Sequence, residues 1–354
     1  MDADFVKIVF VSSLIMLLLF GKYIGSEKPQ VPCYFIFGDS LVDNGNNNHL
    51  ESNWKANYPP YGVDFPKGYT GRFTNGKTSA DIIGQSLGFD EFIPSYATAT
   101  NDQFGKGVNY ASGGAGIRDE SGSHNGDIIC LDRQLRNHKS TVSSLRRSTK
   151  NTTFLKECIY LINIGNNDYI NNYLMPGKHY NSGLIYSKDE YAEVLMKQYH
   201  HQLRALYNLG GRKIATFGLT HIGCTPFMVK KFSTKGKPCV NWINDVIDAF
   251  NNRLKSLIIK LNKDKPDARF TFINTAGILF PQGAVSLRTP VCCQLTGDWA
   301  CTLNSNPCPV RSLTTFFDAL HPTEVSNMMI ATRSYKAVLP TDAYPYDIHH
   351  LTQV

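Results

Sequence analysis

Long apolar runs, clusters of like charge and metal-chelating motifs are all scarce in this chain of 354 residues. After residue 20, no stretch is long and apolar enough to span a bilayer, so only the N-terminus offers a candidate membrane segment. The net charge of +7 comes from scattered basic residues, which argues against a nucleic-acid partner; weak association with an acidic cell-wall polymer is an option beside simple solubility. No H-E-x-x-H chelate or calcium loop occurs, so no metal or other cofactor is expected.

The N-terminal apolar run covers residues 8–20 and is followed by small residues at Gly25 and Ser26. This run is short for a membrane span and is typical of a secretory signal peptide, which we predict over residues 1–26. An uncleaved N-terminal anchor is the alternative interpretation. We expect residues 27–354 to form one domain that is secreted to the extracellular space, with no stable membrane insertion once the signal is removed.

Nine cysteines in a secreted chain predict disulfide bonds. Four of them crowd together and predict a stapled loop rather than a zinc site, because they lack paired C-x-x-C spacing: Cys292, Cys293, Cys301 and Cys308. Cys224 and Cys239 bracket a polar loop and are expected to form another bridge. The odd count leaves a free thiol, for which Cys33 in a buried strand is the candidate. Asn151 begins an N-x-T sequon and predicts glycosylation in a surface loop.

Short β-prone runs alternate with helical patterns, which favours a parallel sheet covered by helices. The runs are nearly all apolar, as expected for strands that are buried on both faces. We predict strands at residues 33–37, 107–111, 158–164, 213–219 and 269–274. Apolar residues repeat at helical spacing over 191–206 and 240–261, and Gly210 and Gly211 end the first of these helices. The pattern predicts one doubly wound α/β domain, in which residues 44–77 form a long surface loop.

The first predicted strand runs directly into Gly38, Asp39 and Ser40. In open parallel sheets, ligands bind beyond the carboxyl ends of the strands, and Gly38 permits a tight turn at that edge. Ser40 is therefore placed for chemistry, although N-capping of a helix is the commoner task of a serine that follows a strand.

A partner for this serine occurs near the other end of the chain, in the sequence FFDALHPTE. A serine hydroxyl becomes a good nucleophile when a histidine accepts its proton and a carboxylate orients that histidine. Asp318 and His321 are three residues apart, which places both side chains on one side of a turn. Pro322 suits the first position of the following helix, so His321 would project from a loop just before that helix. A local capping turn is the alternative interpretation of this pair.

Two further stretches offer hydrogen-bond donors for an oxyanion, namely NYASGGAGI at 109–117 and NIGNNDY at 163–169. Each follows a predicted strand, so both are expected at the same sheet edge as Ser40. The glycines leave backbone N–H groups unobstructed, and the second stretch supplies an asparagine side chain. The glycine run has neither the spacing of a dinucleotide fingerprint nor a Walker lysine, which argues against a nucleotide site.

These four stretches, in this order, resemble the plant-type branch of the GDSL esterase/lipase family of the SGNH hydrolase superfamily. The resemblance covers nearly the whole chain after the signal peptide. It implies a flavodoxin-like, three-layer α/β/α fold with a doubly wound parallel sheet. It also implies a serine esterase/lipase with Ser40 as nucleophile, His321 as base and Asp318 as the acid that orients the base.

The same resemblance assigns three oxyanion donors. They are the Ser40 amide, the Asn167 side chain and a backbone amide in the glycine run, which we expect to be that of Gly113, with Gly114 as the fallback. Phe317 stands where the family usually has tryptophan, a change of packing only. His221 replaces a usual proline and is expected to be structural, since no carboxylate is in register with it.

The expected substrates are small-molecule or lipid esters, hydrolysed through an acyl-enzyme on Ser40. An acyltransferase that uses the same residues and a secreted binding protein without catalysis are the two alternatives. The aromatic side chains of one segment either line an acyl groove or pin the loop to the body, and we expect pinning for most of them: Trp54, Tyr58, Tyr61, Phe65, Tyr69 and Phe73.

Overall fold

The structure is a computed structural model, and it describes residues 28–149, 151–177, 180–232, 234, 236–281 and 291–354. The predicted signal peptide at 1–26 lies outside these residues. The strands of the described chain are β1 (Tyr34–Gly38), β2 (Ile159–Asn163), β3 (Lys213–Phe217), β4 (Arg269–Ile273), β5 (Leu295–Thr296), β6 (Ala300–Cys301) and β7 (Ala343–Tyr344).

The main sheet has the strand order β1-β2-β3-β4-β7, with β1 to β4 parallel and β7 antiparallel at one edge. Beyond β1, the predicted strand at 107–111 is an extended segment with one ladder bridge, between Ile36 and Asn109, rather than a continuous strand. It still hydrogen-bonds along β1, for example from the Tyr110 amide to the Ile36 carbonyl. Counting this segment, the parallel strands follow the flavodoxin-like order 2-1-3-4-5, so the crossovers change direction at β1.

Helices cover both faces of this sheet. The helices of the described chain are α1 (Ser79–Ser86), α2 (Leu131–Thr149), α3 (Ser182–Ile185), α4 (Lys188–Asn208), α5 (Pro226–Phe232), α6 (Asn241–Asp264), α7 (Thr275–Leu279), α8 (Glu324–Tyr335) and α9 (Ile348–Gln353). Successive strand residues face opposite layers, so Phe35 and Phe37 pack against α2, whereas Tyr34 and Ile36 pack in the core that includes α1 and α8. The predicted three-layer α/β/α architecture is confirmed.

The two helices predicted from apolar spacing, α4 and α6, are both present. The Ser187 side chain caps α4 by accepting a hydrogen bond from the Glu190 amide, and Glu190 reaches back to the Ser187 amide. After α4 the chain turns at Gly210, whose φ of 115° favours glycine. None of the helices in the described part of the chain combines the length and hydropathy that a bilayer crossing requires.

The helix after His321 begins later than predicted. Pro322 forms an antiparallel bridge with Phe316 and is extended, so α8 starts at Glu324, with Thr323 as its N-cap residue. The Glu324 amide donates to the Asn75 side chain at 2.8 Å, which is a contact from a distant part of the chain. The prediction that Pro322 opens the helix is therefore wrong, because local bridging holds that residue outside it.

All nine cysteines lie within the described residues, and eight of them form disulfide bonds. The stapled loop is confirmed, as is the bridge between Cys224 and Cys239. The prediction that Cys33 is a free thiol is wrong, because Cys33 pairs with Cys158. These two residues immediately precede the paired strands β1 and β2, which brings their Cα atoms within 4.8 Å. The free cysteine is the buried Cys130.

The predicted surface loop at 44–77 has 16 buried residues among its 34. Trp54, Tyr61 and Phe73 form a third core with Phe317 and with cysteines of the stapled loop. Tyr69 remains exposed over 57% of its surface and does not pin the segment. The expectation that most aromatic side chains here anchor the segment is confirmed. The expectation of a surface loop holds for the remaining 18 residues, which are partly or fully exposed.

Candidate active site

Ser40 lies in a tight turn at the carboxyl end of β1. The end of β1 is fixed by Gln134, whose side chain accepts from the Gly38 amide at 2.9 Å and donates to the Gly38 carbonyl at 2.8 Å. A Cβ atom at Gly38 would lie 2.4 Å from the Asn163 carbonyl oxygen, so only glycine fits this close approach of two strands. The turn then closes through a hydrogen bond from the Asp43 amide to the Asp39 carbonyl. Ser40 is thereby held at the point where the strand order reverses.

The structure brings Ser40 and His321 together across 281 residues of chain. His321 Nε2 lies 2.8 Å from Ser40 Oγ, and His321 Nδ1 lies 2.7 Å from Asp318 Oδ2. The exposed fractions of Ser40, His321 and Asp318 are 8%, 3% and 0%. Bulk water is therefore largely excluded from the line of contacts, while the serine retains some access to solvent.

The Asp318 carboxylate orients the imidazole of His321. Its Oδ1 accepts hydrogen bonds from the Leu320 amide at 2.8 Å and the His321 amide at 2.7 Å. An ionised carboxylate only accepts hydrogen bonds, so the proton of the neutral imidazole belongs on Nδ1, facing Oδ2. This tautomer leaves the Nε2 lone pair directed at the Ser40 hydroxyl, as general-base chemistry requires.

Two backbone amides at this sheet edge are candidates for binding an oxyanion. Within the described residues, neither the Ser40 amide nor the Gly114 amide has a hydrogen-bond acceptor. Gly114 has a φ of 82°, which favours glycine. A Cβ atom there would also lie 2.5 Å from the Trp54 ring, so a larger residue would clash with that ring. Unpaired N–H groups of this kind are suited to binding a developing negative charge.

Asn167 contributes a side-chain donor at the same edge. Its Nδ2 donates one proton to the Ala115 carbonyl at 3.0 Å, which leaves the second proton for a ligand. The next residue, Asp168, starts a π-helical turn and binds the Ile117 and Arg118 amides at 2.8 and 2.9 Å. Burial raises the pKa of the Asp168 carboxyl to about 6, so it is mostly ionised at neutral pH. Asp168 thereby ties the turn that carries Asn167 to the glycine run.

Gly113 was expected to supply a backbone donor for the oxyanion. Its amide donates to Asp43 Oδ2 at 2.9 Å, so this N–H group is not free for an oxyanion. The other carboxylate oxygen of Asp43 accepts from the Gly45 and Asn46 amides at 2.8 and 2.9 Å. Of the two adjacent glycines, the fallback Gly114 retains the unpaired amide. The choice between them depends on a carboxylate 70 residues away, which local sequence does not reveal.

Comparison with known proteins identifies the family of this chain. A family model described as GDSL-like Lipase/Acylhydrolase matches residues 34–333. The chain belongs to this family. GDSL esterase/lipase At1g29670 of Arabidopsis thaliana is 44% identical to it, covering 96% of this chain and 97% of the relative. GDSL esterase/lipase At1g29660 of the same plant is also 44% identical, with complete coverage of both chains.

Among solved structures, an extracellular lipase from Streptomyces rimosus is similar at 15% identity and a TM-score of 0.37, over 88% of this chain and 98% of that chain. That likeness is too low to support a conclusion. The family model and the plant relatives confirm the prediction of a GDSL-type serine esterase/lipase, a carboxylic ester hydrolase, at the level of the family.

His221 of this GDSL-like acylhydrolase has a carboxylate partner, contrary to the sequence-based expectation. His221 Nε2 lies 2.9 Å from Asp248 Oδ1, on an α6 residue whose side chain is 52% exposed. The ring also stacks on Phe280. This carboxylate partner was missed because it lies on α6, 27 residues further along the chain, rather than in the local sequence. Its ring nitrogen is thus engaged on the surface, apart from the Ser40–His321 pair.

Disulfide formation makes the most obvious candidate metal ligands unavailable. The four crowded cysteines are consumed by two disulfides, Cys292–Cys308 and Cys293–Cys301. Elsewhere in the described chain, no three His, Cys, Asp or Glu side chains come together in an arrangement that could hold a metal ion. The residues around Ser40 offer hydrogen-bond donors and a single imidazole, a set suited to acyl transfer.

Aromatic rings enclose the imidazole of His321. The Phe73 ring centroid lies 4.9 Å from that of His321, and the Trp299 centroid lies 5.8 Å away. Trp299 in turn stacks on Trp54 at 5.1 Å. Trp299 lies between β5 and β6, so the disulfide-stapled hairpin contributes directly to the wall of the site. From the sequence, this hairpin was expected only to be a disulfide-linked loop.

Proposed function

We propose that this protein is a secreted serine ester hydrolase in which Ser40 is the nucleophile, His321 the general base and Asp318 the acid that orients it. One observation carries this proposal, namely the 2.8 Å contact between Ser40 Oγ and His321 Nε2. We propose that unpaired donors at the same sheet edge complete the site. Those donors are the amides of Ser40 and Gly114 and the second Nδ2 proton of Asn167. A nucleophile, its base and an oxyanion site at one sheet edge are the parts that acyl transfer requires.

In the proposed first half-reaction, Ser40 Oγ attacks the ester carbonyl carbon while His321 Nε2 accepts the hydroxyl proton. Asp318 stabilises the resulting imidazolium through the hydrogen bond at Nδ1. The carbonyl oxygen becomes an oxyanion, which the three donors bind. The imidazolium then gives its proton to the departing alcohol, and the acyl group remains on Ser40 as an ester.

In the second half-reaction, water replaces the alcohol. His321 accepts a proton from the attacking water, and the same donors bind the second tetrahedral oxyanion. Collapse of that intermediate returns the proton to Ser40 Oγ and releases the carboxylic acid. Because every group is used twice in equivalent roles, no further side chain and no cofactor is needed for turnover.

Secretion and glycosylation form part of the same proposal. Disulfides form and persist in oxidising compartments, and four of them in this chain support passage through the secretory pathway, as does the leader predicted at 1–26. Asn151 is exposed in a loop, where an oligosaccharide would be accommodated. We propose residues 27–354 as one catalytic domain that acts on small-molecule or lipid esters. The net charge of +7 would favour weak binding to acidic wall polymers.

The decisive experiment combines a p-nitrophenyl ester assay with labelling by a fluorophosphonate probe. The parent protein should hydrolyse the ester and take up one probe molecule, located at Ser40 by peptide mass spectrometry. Ser40→Ala should lose both properties. Ser140→Ala is the matched control, because it removes an exposed serine hydroxyl from α2, and it should behave like the parent. Equal hydrolysis by Ser40→Ala and the parent would refute the proposal.

A further inference from the structure

The Asp318 carboxylate accepts a fourth hydrogen bond, and its donor is a residue outside the three proposed catalytic residues. The Tyr61 hydroxyl donates to Asp318 Oδ2 at 2.7 Å, and this is the same oxygen that faces His321 Nδ1. Tyr61 is 1% exposed and Asp318 is fully buried, so water does not compete for this contact. The ring of Tyr61 is held by edge contacts with Tyr58 at 5.2 Å and Phe317 at 5.7 Å.

The direction of this hydrogen bond is fixed by a second contact. The Cys301 amide donates to the Tyr61 hydroxyl oxygen at 3.2 Å. A backbone N–H group only donates and an ionised carboxylate only accepts, so the hydroxyl proton must point to Asp318. One continuous chain of hydrogen bonds therefore links β6 of the stapled hairpin to Ser40 through Tyr61, Asp318 and His321, and Asp318 accepts from both of its neighbours in this chain.

We propose that Tyr61 is a positioning residue that holds Asp318 in line with His321. Its hydrogen bond also weakens the electrostatic stabilisation that the carboxylate gives to the protonated imidazole. This inference rests on the proposed function of the Ser40 site and assigns it a further residue. A second donor on Oδ2 withdraws charge from the oxygen that supports the imidazolium. It also fixes that oxygen within the narrow geometry that the Nδ1 hydrogen bond requires.

The surroundings contain few other ionisable groups that act on this pair. Tyr58 and Tyr61 lie close enough to interact electrostatically with Asp318, and Asp39 interacts with His321. Burial, followed by the nearby Asp318 charge, raises the pKa of Tyr61 well above its usual value, so its hydroxyl keeps its proton at every pH used for assay. Tyr61 is thus a constant neutral donor.

The test is the pH profile of kcat/KM for Tyr61→Phe on the p-nitrophenyl ester. Without the hydroxyl, Asp318 keeps its other three donors, but its Oδ2 interacts more strongly with the Nδ1 proton of His321. The acid limb of the profile reports the protonation of His321, so it should move to higher pH by roughly half a unit to one unit. The looser carboxylate should also lower kcat by about threefold to tenfold.

Tyr58→Phe is the matched control. The Tyr58 hydroxyl donates to the Cys301 carbonyl at 3.0 Å, so its loss detaches the same hairpin residue without removing a hydrogen bond to Asp318. Because Tyr58 interacts with Asp318 electrostatically but does not hydrogen-bond to it, this variant should move the acid limb by clearly less than Tyr61→Phe does. Equal shifts in Tyr58→Phe and Tyr61→Phe would overturn the proposal, because they would assign the effect to anchoring of the hairpin. An unchanged profile in Tyr61→Phe would overturn it as well.

Site-specific replacement of Tyr61 by 3-fluorotyrosine tests the same idea in a nearly isosteric protein. The fluorinated phenol is a stronger hydrogen-bond donor, so the acid limb should move to lower pH, opposite to the shift in Tyr61→Phe. Absence of any shift would contradict the proposal even if Tyr61→Phe failed to fold. These outcomes are read in a parent that reacts with the fluorophosphonate probe, which separates them from failure of the proposed function itself.

Discussion

The two halves of the candidate site are built by different means. The nucleophile half, comprising Ser40, Gly114 and Asn167, lies at the ends of extended segments in the sheet and is fixed by buried hydrogen bonds. The base half, comprising Asp318 and His321, lies on an irregular loop. That loop is held by the cross-linked segment 291–308, through hydrogen bonds from the Cys292 amide to the Phe317 carbonyl and from the Ala319 amide to the Trp299 carbonyl.

This difference shows how a sheet and a loop can both fix the positions of functional side chains. In the nucleophile half, parallel strand pairing sets the backbone, and buried side chains such as Asp43 and Asp168 bind the turns that follow it. In the base half there is no sheet to impose a register. Disulfides and aromatic packing reduce the number of conformations that the loop can adopt, which is the role that they have in small secreted domains.

The largest expected effect comes from breaking the base half at its carboxylate. Asp318→Asn keeps the shape of the side chain but presents an amide that favours the wrong imidazole tautomer. Loss of a carboxylate in this position typically lowers kcat by about ten-thousandfold. We expect such a loss in the p-nitrophenyl ester assay, with a thermal midpoint close to that of the parent. Activity within tenfold of the parent would show that His321 does not depend on Asp318.

Removal of one disulfide from each half should separate stability from activity. In the chain-entropy model, the Cys33→Ala/Cys158→Ala pair, with a sequence separation of 125, loses about 5 kcal/mol of unfolding free energy. The Cys293→Ala/Cys301→Ala pair, with a separation of 8, loses about 2.5 kcal/mol. Denaturant unfolding measures both values.

Activity should follow the opposite order in these two variants. Strand pairing still positions Ser40 without the first bridge, so kcat per folded molecule should remain near the parent value. Loss of the second bridge frees the hairpin that carries Trp299 and Cys301, so kcat should fall by roughly tenfold. A larger loss of kcat from the first pair than from the second would contradict the division into two halves.

A break in the nucleophile half is expected at Asn167. Asn167→Ala removes one of three proposed oxyanion donors, which typically lowers kcat by about a hundredfold to a thousandfold. Asn262→Ala is the control, because it removes an asparagine that also donates to a carbonyl, that of Phe270, far along the sheet. Turnover of the p-nitrophenyl ester should be strongly reduced in Asn167→Ala and equal to that of the parent in Asn262→Ala. Similar rates in both would remove Asn167 from the oxyanion site.

A further effect concerns the pH dependence of stability in the nucleophile half. Burial raises the pKa of Asp39 to about 7, whereas an unfolded aspartate has a pKa of about 3.9. Between these values the folded state retains a proton that the unfolded state has released, so stability falls as pH rises through this window. One such proton changes the unfolding free energy by at most about 1.4 kcal/mol per pH unit.

Asp39→Asn should flatten this decline. Relative to the parent, the variant should gain stability at pH 8 compared with pH 4, as measured by urea unfolding at both values. Asp347→Asn, which replaces the carboxylate that caps the terminal helix α9, is a control that should leave the slope between pH 5 and pH 7 unchanged. A parent slope retained in Asp39→Asn would assign the pH dependence to other groups.

Much of the fold was predictable because buried parallel strands leave a strong local signal. The runs that became β1 to β4 are almost wholly apolar, and the spacing along α4 and α6 is unambiguous. The strand β7 has only two residues and no pattern of its own, so it was not predicted. The segment at 107–111 has strand-like composition, but its pairing with β1 is interrupted, and composition does not report such breaks.

The candidate site was predictable to the extent that its chemistry depends on residue type. Ser40, Asp318 and His321 stand in motifs that specify what each side chain can do. The choice of Gly114 over Gly113, the partner of His221 and the contact of Tyr61 with Asp318 were not predictable. Each depends on a side chain that arrives from a distant part of the chain, and hydrogen-bond partners of that kind leave no local pattern.

The sequence by itself determined the layered fold, the family and the reactive groups, because hydrophobic periodicity and functional-group chemistry are properties of short stretches. Only the tertiary structure decided which amides stay unpaired, which cysteines meet and which hydroxyl supports the carboxylate of the base. Those outcomes depend on distances of about 3 Å between residues far apart in the chain, and such distances are set by packing of the whole core.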